Sequence, residues 1–197
     1  MKIKLTAKED QALWLKQLPN ESKPLFIEIW KNASRFTKFL GQNVDMQEPP
    51  TFAVVREPYS RFWSACKEMF SRPAKDGTPR GETNPVVLIE NGMKEIRKID
   101  TDFHFKPQTW FKSLYEYDID HFFTFENLNN ELIDVSKKFN IKWKDGFDIN
   151  SIFEMNIQPS DHTNDEFAIE YIKDREELLC YYVDDFELYN EVINNNL

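Results

Sequence analysis

The run Thr51-Phe52-Ala53-Val54-Val55 constrains the fold of this chain more than any other stretch. It is nearly all apolar, it follows Pro49-Pro50, and Pro58 comes three residues after it. A strand-length run without polar alternation suits a strand covered on both faces, and such strands belong to parallel sheets. Proline has the fixed φ of a first helical turn, so the aromatic-rich stretch Tyr59 to Phe70 is predicted to be a helix opened by Pro58. Upstream, Leu25 to Trp30 alternates as a strand does. Ser34 to Leu40 has Phe36, Phe39 and Leu40 at helical spacing, with Gly41 as the expected C-cap. Strand, loop, helix, strand, helix is the order of a parallel unit, in which a crossover helix joins two strands.

The rest of the chain extends this pattern. Thr6 and Glu9 fit a capping box opening a helix over 6–17, and Pro19 stops it. Arg72 to Asn84 carries Pro73, Gly77, Pro79 and Gly81, which predicts a flexible surface loop. Pro85 to Ile99 reads as a helix with Val87, Ile89, Met93 and Ile96 toward the core. Phe103 to Tyr117 is aromatic and irregular. Asp120 to Phe125 is a third strand candidate, Leu128 to Phe139 a helix, and Asn140 to Pro159 a loop. Asn164 to Val192 is helical, in two segments expected to meet near Tyr182 to Asp185. These elements predict one α/β domain over 1–197, three-layered, with a small central parallel sheet flanked by helices.

Composition narrows the function. At 197 residues with 41% hydrophobic and 15% aromatic content, the chain can bury one sizeable core. No apolar run reaches the roughly 20 residues of a membrane span. The charged start Met1-Lys2-Ile3-Lys4-Leu5 does not read as a signal peptide. Cys66 and Cys180 form no disulfide framework, and His104, His121 and His162 form no local metal motif, so no metal site is expected. The reading is a soluble, cytoplasmic protein without a membrane partner. A net charge of −9 argues against a nucleic-acid partner. Pro24 to Arg72 nevertheless has seven Lys/Arg against five Asp/Glu, which leaves −11 for the remainder. A locally basic island in an acidic protein suits one anionic ligand held at one place.

Two clusters lie in that island. In Phe26-Ile27-Glu28-Ile29-Trp30-Lys31-Asn32-Ala33-Ser34-Arg35-Phe36 a strand ends and a helix begins near Ser34. Backbone N–H groups and the positive helix end then converge on one spot. Lys31 and Arg35 add cations and Ser34 a hydroxyl, which suits a phosphate or sulfate. The Gly-rich Walker pattern is absent. In the second cluster, Val55-Arg56-Glu57-Pro58-Tyr59-Ser60-Arg61-Phe62-Trp63-Ser64, Arg56 falls at the carboxyl end of a strand, where open α/β sheets bind ligands. An arginine fork with the Ser64 hydroxyl is a receptor for a terminal phosphate. A helix-capping salt bridge is the competing reading. Taken together, Lys31 and Arg56 are expected side by side on neighbouring strands, as a nucleotide phosphorylated at both 5' and 3' positions requires.

In these clusters the sequence resembles the sulfotransferases that use 3'-phosphoadenosine-5'-phosphosulfate (PAPS), and looks closest to the carbohydrate sulfotransferase branch known as family 2. Lys31-Asn32-Ala33-Ser34 is similar to that family's 5'-phosphosulfate loop, and Val55 to Ser64 to its 3'-phosphate motif. His104-Phe105-Lys106-Pro107-Gln108, Phe125-Glu126-Asn127-Leu128 and Tyr182-Val183-Asp184-Asp185-Phe186-Glu187-Leu188-Tyr189 match further elements in the same order. The resemblance covers roughly 24–192, after an N-terminal helix within 1–20. It implies a P-loop-like fold and PAPS as donor substrate, with no metal. Lys31, Asn32, Ala33, Ser34, Arg35, Arg56 and Ser64 would hold the donor. Lys31 would stabilise the transition state, and His104 is the candidate base. Trp30 and Arg35 depart from the family pattern. Ala33 stands at a frequent glycine, so the loop is expected to avoid positive φ there.

Asn32-Ala33-Ser34 is also a glycosylation sequon. Trp30, Phe62 and Trp63 are candidates to stack on adenine, with core packing the competing reading. Arg61 either assists phosphate binding or forms a surface ion pair. Glu57 is expected to serve the helix N-terminus, and Glu126, at a strand end, to be a structural capping carboxylate rather than a base. The acidic remainder favours a neutral or weakly charged hydroxyl acceptor, a sugar or small molecule. Two rivals remain: another phosphotransferase on a P-loop-like fold, and a non-catalytic nucleotide- or ligand-binding module.

Overall fold

A computed structural model describes residues 25–27, 29, 31–71, 81–114, 118–150 and 165–196, the side chains of 34, 35 and 196 excepted. The expected helix at 6–17, Trp30, and most of the loop at 72–84 lie outside the described residues.

Strand β1 (Phe52–Val55) is buried along its whole length, as its apolar run predicts. It pairs in parallel with β2 (His121–Thr124), Phe52 opposite His121 and Val55 opposite Thr124. On its other side lies Leu25–Ile27, bridged in parallel through Phe26 and Phe52. The Phe52 N–H donates to the Leu25 carbonyl at 2.7 Å, and the Ile27 N–H to the Phe52 carbonyl at 2.9 Å. Among the described residues this first segment makes a single bridge; Glu28 and Trp30 of the strand expected over Leu25 to Trp30 lie outside them.

Side chains alternate across a strand, so β1 presents two faces. Phe52 and Val54, with Phe26 and Phe123, pack against α1 (Ser34–Gln42) through Phe36 and Leu40, and against α5 (Leu128–Lys138) through Leu132 and Val135. On the other face Ala53 meets Phe111 of α4 (Gln108–Lys112). Val55 meets Leu188 and Val192 of α8 (Val183–Asn196). The fold is therefore mixed: helices on both faces of a small parallel pair.

A second core is mainly helical. It joins α2 (Pro58–Cys66), α3 (Pro85–Ile96), α6 (Asp165–Lys173) and α7 (Glu176–Tyr181) through Phe62, Cys66, Ile89, Met93, Ile172 and Leu178. Gly92 lets α2 and α3 approach: a Cβ there would lie 2.4 Å from Cys66 Sγ and 2.8 Å from the Phe62 ring. Among the described residues no helix is long and apolar enough to cross a membrane.

Several boundaries differ from the sequence reading. Gly41 lies inside α1, and Asn43 closes the helix instead, its Nδ2 donating to the Phe39 carbonyl at 2.8 Å. That side-chain donor does the work expected of a glycine cap. The helix after Pro58 ends at Cys66 and continues as a π-helical turn, Lys67–Ser71. Val87 is exposed, because the buried stripe of α3 runs through Leu88, Ile89, Gly92, Met93 and Ile96. The C-terminal helical region breaks at Tyr182 as expected. It breaks again before α7, where Arg175 is extended (φ −93, ψ 92) and its guanidinium reaches Glu90 at 2.6 Å.

Two predictions follow from the packing. Gly92→Ala should destabilise the chain by about 1–3 kcal/mol in urea unfolding, although alanine favours helix, because Cys66 and Phe62 must shift; unchanged or raised stability would contradict the close approach. The second concerns His121, which packs among Phe52, Phe123 and Phe139. Its Nε2 is buried without a hydrogen bond, 3.7 Å from a Glu131 oxygen. Burial, and then Lys138, lower its pKa. The unfolded chain therefore binds the proton more readily near pH ~6.5, and stability should fall as pH drops below that value. His121→Phe should flatten this slope between about pH 5 and 7; an identical slope in the variant would reject the assignment.

Candidate functional site

Parallel strands leave the sheet in the same direction, so the segments after Ile29, Val55 and Thr124 gather at one edge. The Phe125 N–H donates to the Val55 carbonyl at 2.7 Å, which carries β2's exit alongside that of β1.

Arg56 is the first residue beyond β1. Its Nη1 donates to the Lys31 carbonyl at 3.3 Å, and its guanidinium lies 4.4 Å from the Phe125 ring centroid. The two cations singled out in the sequence therefore occupy touching segments. Arg56 is half-buried, its Nε has no hydrogen-bond partner, and among the described residues no carboxylate lies within ion-pairing distance of it. Burial lowers its pKa; Glu126 is the strongest opposing influence, and Arg61 adds repulsion. Asp165 and Glu57 also act on it, without an ion pair.

The Lys31 loop has an unusual backbone. Lys31 has φ 71 and Ala33 φ 59, with ψ 26 at Ala33. The expectation that alanine would keep this loop out of positive φ is wrong. The buried Asn32 side chain holds the turn, its Nδ2 donating to the Val54 carbonyl at 2.8 Å and to Gln108 Oε1. Left-handed residues thus stand on either side of Asn32. The Asn32 side chain faces inward, so any donor contact from this residue comes through its backbone; its own N–H already donates to Ile29 at 3.2 Å. A 2% exposed asparagine cannot serve as a glycan acceptor in the folded chain. Lys31 Nζ lies 3.5 Å from Glu68 Oε2, a carboxylate in the π-turn after α2. Ser34 and Arg35 open α1, and their side chains lie outside the described residues.

The distant motifs converge here as well. Gln108 is fully buried. Its Oε1 accepts the Arg56 N–H at 2.8 Å, and its Nε2 donates to the Arg56 carbonyl at 2.9 Å. Asp185, also fully buried, accepts from the Gln108 N–H at 2.7 Å and from both the Thr109 N–H and hydroxyl at 2.9 Å. One turn earlier, the Tyr182 hydroxyl donates to the Phe105 carbonyl at 2.7 Å. The break between α7 and α8 thus clamps both ends of the turn over Phe105 to Gln108.

The remaining candidates divide. Ser64 is half-buried on α2, and no hydrogen bond joins it to Arg56. His104 Nδ1 sits 2.6 Å from Asp102 Oδ1, and no hydrogen bond or ion pair among the described residues links it to Lys31 or Arg56. Burial alone would raise the Asp102 pKa, but hydrogen bonds from the His104 ring and amide outweigh it and hold the carboxyl below its usual range. Glu57 caps α2, accepting from the Tyr59 and Ser60 N–H groups at 3.1 and 2.7 Å. Among the described residues Glu126 caps no helix; it is exposed and accepts the Tyr189 hydroxyl at 3.2 Å. Arg61 is fully buried, 5.9 Å from the Phe111 ring centroid, and so is not a surface residue. Phe62 and Trp63 belong to the helical core, Trp63 donating its indole N–H to Asp165.

The buried polar roles of Asn32, Gln108 and Asp185 escape sequence reasoning, because burial of a polar side chain has no local pattern. Among the described residues no three His, Cys, Asp or Glu side chains gather as a metal-ligand set. Comparison with protein-family models, curated proteins and solved structures finds nothing that matches this chain.

The left-handed alanine yields a prediction. Alanine in this conformation costs roughly 1–2 kcal/mol, and glycine adds back about 0.5–1 kcal/mol of chain entropy. Ala33→Gly should therefore raise stability by roughly 0.5–1 kcal/mol, read by thermal or urea unfolding; a loss of stability would show that the turn is not left-handed.

Proposed function

We propose that this chain is a PAPS-dependent sulfotransferase on a three-layer, P-loop-like α/β fold, acting on a hydroxyl of a sugar or small molecule. The observation that carries the reading is the Arg56 guanidinium, without a carboxylate partner among the described residues, set against the Lys31 carbonyl at the carboxyl edge of β1. Two adjoining anion receptors suit a nucleotide charged at both ends. The convergence of the segments around Asn32, Arg56, Gln108, Phe125 and Asp185 supports the resemblance, since motifs of one site must meet in space.

In this reading the backbone of the 31–35 loop and the Lys31 ammonium hold the 5'-phosphosulfate, and Arg56 holds the 3'-phosphate, with the Ser64 hydroxyl beside it. The acceptor oxygen attacks sulfur in line, forming the O–S bond as the bond from sulfur to the 5'-phosphate oxygen breaks. The electron pair stays on that phosphate oxygen, where Lys31 neutralises the growing charge. Glu68 must then share or release Lys31. The acceptor proton passes to a base, for which His104 is the candidate, its ring oriented by the contact of Nδ1 with Asp102.

The test is calorimetry with adenosine 3',5'-diphosphate, without magnesium. The wild-type chain should bind it in preference to Mg-ATP, and Arg56→Ala should weaken binding by about tenfold or more. Lys31→Ala and His104→Ala should fold, and should lower sulfuryl transfer from PAPS by roughly 100-fold, with a smaller effect on diphosphate affinity. A preference for Mg-ATP would replace the reading with a phosphotransferase. Tight diphosphate binding without transfer in the wild type would leave a binding module.

A further inference from the structure

Resting on that donor reading, we propose that Gln108 is a positioning residue that fixes the spacing between the two phosphate receptors. One buried side chain touches both. Its Oε1 accepts from the Arg56 N–H and from the Asn32 amide, and its Nε2 donates to the Arg56 carbonyl. The Arg56 backbone is thus gripped at both its N–H and its carbonyl, much as a neighbouring strand would grip it. Asn32 sits between the left-handed Lys31 and Ala33, so the same contact holds the lysine loop in its unfavourable turn.

Gln108 does not reach a ligand, being fully buried. Its own place is set from behind by Asp185, whose two oxygens take the Gln108 N–H and the Thr109 N–H. A chain of direct hydrogen bonds therefore runs from α8 through Gln108 to both receptors. No other described side chain hydrogen-bonds to both the Asn32 side chain and the Arg56 backbone.

The consequence is specific to a two-headed ligand. Each receptor alone can adjust to a single phosphate. A nucleotide with two phosphates gains from the second contact only if the receptors are already held at its span, since the second contact is then intramolecular. Loosening the spacing should reduce that gain and leave single-phosphate binding in place. A merely structural glutamine would weaken every ligand alike.

The experiment measures three affinities by calorimetry on the full chain: adenosine 3',5'-diphosphate, adenosine 5'-monophosphate and adenosine 3'-monophosphate. Gln108→Met keeps the side-chain volume and removes the three hydrogen bonds. It should weaken the diphosphate by about tenfold and each monophosphate by less than about twofold. Asp185→Asn loosens the same chain from its far end and should shift the ratio in the same direction, by about threefold; it carries the test should Gln108→Met fail to fold. A full two-phosphate gain in the folded variant overturns the positioning role and leaves the donor reading standing. An equal loss for all three ligands overturns it too, as a general defect. Absence of diphosphate binding in the wild type removes the donor reading, and this inference with it.

Discussion

Parallel pairing on both sides of β1 is the constraint from which the site follows. Leu25–Ile27 lies along one side of the strand and β2 along the other, all running the same way. Three chain exits must then leave at one edge, and no hairpin can relieve the crowding. The apolar run of β1 requires cover on both faces, which α1 and α5 provide on one and α4 and α8 on the other. Polar residues that follow the strands have little choice but to face one another at that edge. Lys31 and Arg56 meet there because the topology brings them there.

The energetics of that edge are unfavourable in isolation. Two non-glycine residues adopt left-handed backbone, and an arginine is half-buried without a carboxylate partner among the described residues. Such features persist where surrounding contacts over-determine them. The stabilising contacts are identifiable. Asn32 is tied to Val54, Gln108 to Arg56, and Asp185 to Gln108 and Thr109. Each is a buried, directional hydrogen bond whose loss would leave an unsatisfied group.

The apolar run of β1, Pro58 at the start of α2, and the strand and helix that follow Asp120 were legible because their patterns are local. So was the joint at Tyr182, and so was the adjacency of Lys31 and Arg56, which follows from one strand–helix–strand step. Gly41 misled, since glycine is permitted inside a helix and Asn43 could supply the closing donor. Val87 misled because its neighbour Leu88, not Val87 itself, sets the phase of the buried stripe. Ala33 misled most: residue type predicts the cost of a left-handed turn, but not that Asn32 and Gln108 would sustain it. The inward roles of Asn32, Gln108 and Asp185 depend on segments more than seventy residues apart meeting, which no local pattern records. Glu68 opposite Lys31 escaped notice for a further reason: it lies in the π-turn, where a regular helix was expected.

The most direct measurement is a crystal structure of the chain with adenosine 3',5'-diphosphate. The account predicts one nucleotide spanning the edge beyond β1, its 3'-phosphate on the Arg56 guanidinium and its 5'-phosphate against the backbone of the 31–35 loop within reach of the Lys31 ammonium. A nucleotide bound elsewhere, or one that leaves Arg56 and the lysine loop untouched, would contradict it.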